Sequence, residues 1–160
     1  MAYLIDSDVF IQAKNLHYGF DFCPGFWDWV LRENAGGSVF SIDKVQGELQ
    51  TGNDNLAQWV TGTGSGIFLP VDASTVAAMR SVSVWIQSQG YKQASINSFQ
   101  GGADPWLISY AMANGYTVVT QEQLRPDTKK VKIPNVCAGL GVQYMTPFQM
   151  LRAEKARFNL

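Results

Sequence analysis

The chain has 160 residues, enough for one domain with a sizeable core. Hydrophobic residues make up 46% and charged residues 16%, a globular composition that excludes a disordered chain. A net charge of -1 gives no bulk attraction to nucleic acid, two cysteines make no disulfide framework, and no apolar run reaches the ~18 residues of a membrane span.

Tyr3, Leu4 and Ile5 run into Asp6, and "YLID" predicts a buried strand, because parallel strands covered on both faces are continuously apolar. "GFWDWVLREN" carries Phe26, Trp27, Val30 and Leu31 at helical spacing and ends at Gly36 and Gly37. Trp27 and Trp29, two residues apart, diverge on such a helix, so one can pack in the core while the other stacks on a base or meets a partner; core packing is the favoured reading, with Asp28 facing solvent. "SVFSI" is a second strand, and "DKVQGELQ" a helix with Asp43 in its first turn. "DNLAQWVTG" is another helix, opened by Asn53 or Asp54. The glycines of "TGTGSG" (61–66) follow no strand and precede no Gly-Lys-Ser/Thr, so they read as a flexible loop and not a phosphate cradle.

"GIFLPV" is a third strand, stopped near Pro70. Residues 72–90 form a long helix with a mixed stripe of Val76, Met79 or Arg80, Val84 and Trp85. "GADPWLISYAMANG" is a helix with Pro105 in its first turn and Gly115 past its end. "YTVVTQ" and "GVQYMT" are the fourth and fifth strands, and "TPFQMLRAEKA" closes the chain as a helix begun by Pro147. Nothing reads as a repeat or a linker, so residues 1–160 are one domain. Strands alternating with helices predict an α/β fold, a mostly parallel five-stranded sheet with helices on both faces. Without a basic segment followed by an apolar one at the N-terminus, no signal peptide is expected, and the protein is read as soluble and cytoplasmic, with no membrane partner.

Ligands bind such sheets outside the carboxyl ends of the strands. Asp6 and Asp8 end strand one, Glu48 lies on the helix after strand two, Asp104 begins the helix before strand four, and Glu122 follows strand four. Each has a plainer role: a turn or helix cap for Asp6, Asp8 and Asp104, a solvated helix position for Glu48, a loop acid for Glu122. Taken together they can converge on one cleft, where mutual repulsion calls for protons or a cation; hard oxygen ligands suit Mg2+ or Mn2+, which act on phosphodiesters. Arg125, Lys129, Lys130 and Lys132, in the loop between strands four and five, can neutralise RNA phosphates or simply be solvated. His17, the one histidine, cannot build a zinc site with two cysteines, and a surface or partner contact is expected of it.

The ordered acids resemble those of the PIN-domain ribonucleases, which include the VapC-like toxins of toxin–antitoxin pairs. The likeness rests on "LIDSDVF" with Asp6, "VQGELQ" with Glu48, "GGADPWLISYA" with Asp104 and "VVTQEQ" with Glu122 and Thr120. "FCPGFWDWV", which contains CPGFWDW, and "KKVKIPNVCAGLGVQ" are similar to segments of one bacterial branch of these proteins. Two positions depart from the family pattern: Asp8 stands for the usual Asn, and Glu122 for Asp. The resemblance implies a three-layer α/β/α sandwich, PIN-like, and a Mg2+- or Mn2+-dependent endoribonuclease. In it Asp6, Glu48, Asp104 and Glu122 are catalytic and hold the metal, and Asp8 and Thr120 orient them. It further implies an RNA substrate, a cognate antitoxin, and pairing as a homodimer.

Two rivals remain at this stage. "IDSDV" also fits the first motif of haloacid-dehalogenase-like phosphohydrolases, with Asp6 as nucleophile and Asp8 as general acid. That scheme needs acids on a later strand, and after Lys129 the one acid is Glu154. The other rival is a PIN-like module that binds RNA or a protein partner without cutting.

Overall fold

Burial on both faces defines the first strand, β1 (Tyr3–Ile5), none of whose residues is more than 2% exposed. In the computed structural model, which describes residues 1–159, β1 lies between β2 (Val39–Ile42) and β4 (Thr117–Val119). Leu4 sits opposite Phe40 on one side and Val118 on the other. The edges are β3 (Phe68–Leu69) beside β2 and β5 (Tyr144–Met145) beside β4. The order is β3-β2-β1-β4-β5, and every pair is parallel.

Parallel neighbours need crossovers, and right-handed ones sort the helices by the direction of travel. Outward steps from β1 to β2 to β3 carry α1 (Ser7–Gln12), α2 (Pro24–Ala35), α3 (Asp43–Gln50) and α4 (Asn55–Thr61) on one face. Passing back across the sheet to β4 and on to β5 puts α5 (Ala73–Gln87), α6 (Gln93–Gln100), α7 (Asp104–Asn114) and α8 (Ile133–Leu140) on the other. The closing α9 (Pro147–Ala153) packs near a π-helical turn at Ala13–His17, where the half-buried His17 ring meets Phe148 edge-on at 5.2 Å. The result is an α/β/α sandwich whose travel reverses between β1 and β4. Helix starts follow their sequence signals. Asp54 and Asp72 accept hydrogen bonds from the Ala57 and Thr75 amides, and Thr146 and Gln149 make a capping box.

Several sequence expectations are corrected. Trp27 and Trp29 are both buried, at 2% exposure each. Aromatic rings cover α2 beyond the sheet: Trp27 stacks on Phe20 at 4.1 Å between centroids and meets Trp59 at 4.9 Å. Asp28 is exposed, as expected. On α5 the buried residues are Thr75, Val82 and Ile86, while Val76 and Val84 are 57% and 64% exposed, so the buried stripe lies one residue round from the expected one. The loop expected at 61–66 shrinks to a turn at 62–64: α4 runs through Thr61, and Ser65–Ile67 is a 3-10 turn. Gly64 is required there because a Cβ would stand 2.6 Å from the Trp59 ring. Two helices escaped the sequence reading. In α6 only Ile96 and Phe99 are buried, and α8 is disguised by Pro134 and Gly139. No helix among the described residues is long and apolar enough to cross a membrane.

Candidate metal centre

β1 leaves the sheet at Asp6, whose amide still donates to the Val119 carbonyl at 2.9 Å. Its side chain is therefore fixed at the crevice between the carboxyl ends of β1 and β4, where the strand order reverses. Asp6 is 3% exposed. Its Oδ1 accepts from the Ser7 amide at 2.7 Å, making it the N-cap of α1, and its Oδ2 accepts from the Thr120 hydroxyl at 2.9 Å. The plain capping role and the site role thus fall on one side chain. Asp8, in the first turn of α1, accepts from the Gln121 amide at 3.2 Å and lies 3.3 Å from the Thr120 hydroxyl. One hydroxyl has one proton, and the shorter contact assigns it to Asp6. Thr120 in turn accepts from the Glu122 amide at 3.1 Å, so it ties β4 to α1.

The other acids arrive from both helical layers. Glu48 on α3 accepts from the Ala103 amide at 2.9 Å through Oε1. That bond reaches from one face of the sheet to the start of α7 on the other. Asp104 is the first residue of α7, with Ala103 at the N-cap position, so the capping role considered for Asp104 falls away. Glu122 accepts from the Ile133 amide at 2.8 Å through Oε2, at the start of α8. Each glutamate keeps one oxygen that no described residue hydrogen-bonds.

The electrostatics join these groups. Burial, then the charges of Glu122, Glu48 and Asp8, push Asp104 up to about 7. Burial, then the charges of Asp8 and Asp104, hold Asp6 well above the usual carboxylate range. Asp8 is raised by burial and held back by its hydrogen bonds to Asp6, the Gln121 amide and Thr120. Glu122 is raised by burial against the pull of the Ile133 amide, with Asp8 raising it and Lys132 lowering it. Among the described residues the ion pairs are Lys14–Asp54 and Arg32–Glu33, so no protein cation is paired with any acid of this group.

The donor set, all carboxylate oxygens with uncompensated negative charge, fits Mg2+ or Mn2+ in chemistry. Its spacing is open: among the described residues no group of three or more His, Cys, Asp or Glu side chains is disposed to hold a metal ion as it stands. Of the four basic residues singled out from the sequence, Lys132 lies near Glu122, as the N-cap residue of α8. Arg125, Lys129 and Lys130 are exposed, and none is within ion-pairing distance of an acid. Sequence reasoning missed Cys137 behind the site, a buried thiol pushed up to about 12 by burial and then by Asp6 and Glu122. It also missed the Ala103 and Ile133 amides; a helix start at Ile133 was the signal that would have found the second. Glu154, the late acid that a phosphohydrolase would need, instead accepts from the Tyr3 hydroxyl at 2.6 Å.

Comparison with solved structures places this architecture. The crystal structure of FitAcB from Neisseria gonorrhoeae aligns with a TM-score of 0.58 over 91% of this chain and 98% of that one, at 15% identity. The structure of FitAB bound to an IR36 DNA fragment aligns with a TM-score of 0.57 over 91% of this chain and 95% of that one, at 14% identity. At such identities the likeness is one of fold, and the fold is PIN-like. No curated protein matches the sequence. One family model, described as a domain of unknown function (DUF4411), matches residues 3–158.

Proposed function

This chain belongs to the DUF4411 family, and we propose that it is a Mg2+- or Mn2+-dependent endoribonuclease, the toxin of a toxin–antitoxin pair. One observation carries the reading. Acids from β1, α1, α3, α7 and the end of β4 face the switch point of a PIN-like sheet, where burial and then the charges of Glu122, Glu48 and Asp8 push Asp104 up to about 7, and among the described residues no ion pair neutralises them. A bound divalent cation supplies that neutralisation, Lewis acidity toward a phosphodiester, and a lowered pKa for water.

Asp6, Glu48 and Asp104 are the principal ligands, with Glu122 assisting. Thr120 and the Ser7 amide fix the Asp6 carboxylate, and Asp8 braces the segment after β4 through the Gln121 amide. The Ala103 and Ile133 amides hold one oxygen of Glu48 and of Glu122, leaving the other oxygen of each for a ligand. Lys132 stabilises charge on the phosphate, and Arg125, Lys129 and Lys130 follow the RNA strand outward. The toxin assignment draws on the ordered acids shared with VapC-like toxins and on a fold shared with FitAB, seen bound to DNA. A small DNA-binding protein encoded beside this chain should co-purify with it as antitoxin.

A second reading, a module that binds RNA or a partner without cutting, is favoured by the open spacing of the acids. Cleavage of RNA that needs Mg2+ or Mn2+ and is lost in Asp6→Asn separates the two. RNA binding that is indifferent to metal, with no cleavage, would leave only the binding module. A trapped aspartyl phosphate would point to the phosphohydrolase instead.

A further inference from the structure

On its Glu122 side the acid cluster adjoins a cavity of about 220 Å3. Its walls are Glu122, Gln123 and Leu124 after β4, Tyr144 and Met145 of β5, and Gln149 in the first turn of α9. Three features mark it as a place for a ligand. Leu124 is 46% exposed, an apolar side chain left at the rim. The segment bearing it is clamped on both sides. Glu122 is held by Thr120 and by the Ile133 amide, while Asn135 accepts from the Arg125 amide at 3.1 Å and donates to the Arg125 carbonyl at 3.0 Å. Gln123 and Leu124 are thus spanned between two residues whose backbone or side chain is held. The chemistry is also selective. A phenol ring supplies a flat face, a thioether and an isobutyl group supply apolar surface beside it, and the amides of Gln123 and Gln149 supply polar groups. Thr146 donates its amide to Gln149 Oε1 at 2.8 Å, which fixes that side chain and leaves its N–H groups for a ligand.

Proteins read single-stranded RNA with this combination, stacking a base on an aromatic face and bonding its edge. The volume falls below the ~300–1,000 Å3 of pockets that take drug-sized ligands, so it suits one ring system. We propose that this cavity receives one base of the RNA strand and thereby sets which nucleotide lies beside the bond that is cut. The inference rests on the nuclease reading and adds a sequence preference to it.

Titration of 5′-AMP, 5′-CMP, 5′-GMP and 5′-UMP into the full chain without divalent metal tests it, with the Leu124 and Met145 methyl signals followed by NMR. At least one nucleotide should shift both signals. It should bind about tenfold more weakly to Tyr144→Leu, which keeps apolar bulk and removes the stacking face. Leu124→Ala, at an exposed position that the fold does not need, should weaken the same nucleotide and move the cleavage positions in a mixed-sequence oligoribonucleotide. If no nucleotide shifts either signal, or if both variants bind as well as the parent, the pocket is refuted whether or not RNA is cut. If a nucleotide binds there but RNA stays intact with Mg2+ and Mn2+, the pocket stands and the nuclease reading fails.

Discussion

Asp104 shows how a single side chain records the conflict in the site. Burial and three neighbouring acids push its carboxyl up to about 7 in the folded protein, against the ordinary 3.8 of an unperturbed aspartate. The folded state therefore binds this proton more tightly than the unfolded chain does. The stability that follows is fully present below about pH 4 and is lost as the pH rises through about 7. In the presence of a chelator, the urea midpoint of the parent protein should fall across that window. Asp104→Asn, which cannot ionise, should show a shallower fall, with the remainder due to Asp6, Asp8 and Glu122, whose shifts have the same sign. The same variant should be folded and unable to cut RNA. Parallel pH profiles for the two proteins would mean that Asp104 is not the group holding the proton. Asp6, Asp8, Asp104 and Glu122 stood out in the sequence because each follows an apolar run or opens a helix, and Glu48 because its helix follows strand two. Their backbone partners were not: no pattern of side chains announces that the Ala103 amide will meet Glu48 from the other side of the sheet.

Among the elements, the strongly periodic helices were legible, and those whose shape depends on a distant neighbour were not. In α8 the sequence "IPNVCAGL" places Pro134 and Gly139 where a helix is not expected, but Pro134 falls in the first turn, where it costs nothing. Gly139 is there for α5: a Cβ on it would lie 1.9 Å from Cζ2 of Trp85. A reader of α8 alone sees a helix breaker; the pair of helices shows a glycine that lets an indole lie against backbone. Gly139→Ala should therefore destabilise the protein by about 1–3 kcal/mol, the usual cost of an overpacked contact, despite the better helix propensity of alanine. Thermal unfolding would register the loss, and Trp85→Leu in the same chain should recover part of it. Losses that simply add would mean that the indole and the new methyl never met. The short strands reflect the same limit. β3 and β5 have two residues each, so the apolar runs predicted there outlast the ladder that the neighbouring strand supports.

For the molecule as a whole, charge separates into regions that the net value of -1 conceals. The acids sit at the switch point, while Arg125, Lys129, Lys130 and Lys132 occupy the loop and the start of α8 beside it. With screening over ~10 Å at 0.1 M salt, a balanced molecule gains little long-range attraction, so the RNA binding we propose would rest on local phosphate contacts. Each such contact releases counterions and contributes about -0.7 to the slope of log K against log salt for a single strand. Four contacts set a slope of about -3, and replacing Lys129 and Lys130 together by Ala should flatten it by about 1.4. The measurement needs RNA that stays intact, so it belongs in the Asp104→Asn background with a labelled oligoribonucleotide. A charge that only keeps the loop solvated would leave the slope where it was. A flattened slope with a preserved pattern of preferred nucleotides would divide the labour, giving affinity to the lysines and choice of sequence to the cavity beside Glu122, as expected where phosphate contacts position a strand and base contacts specify it.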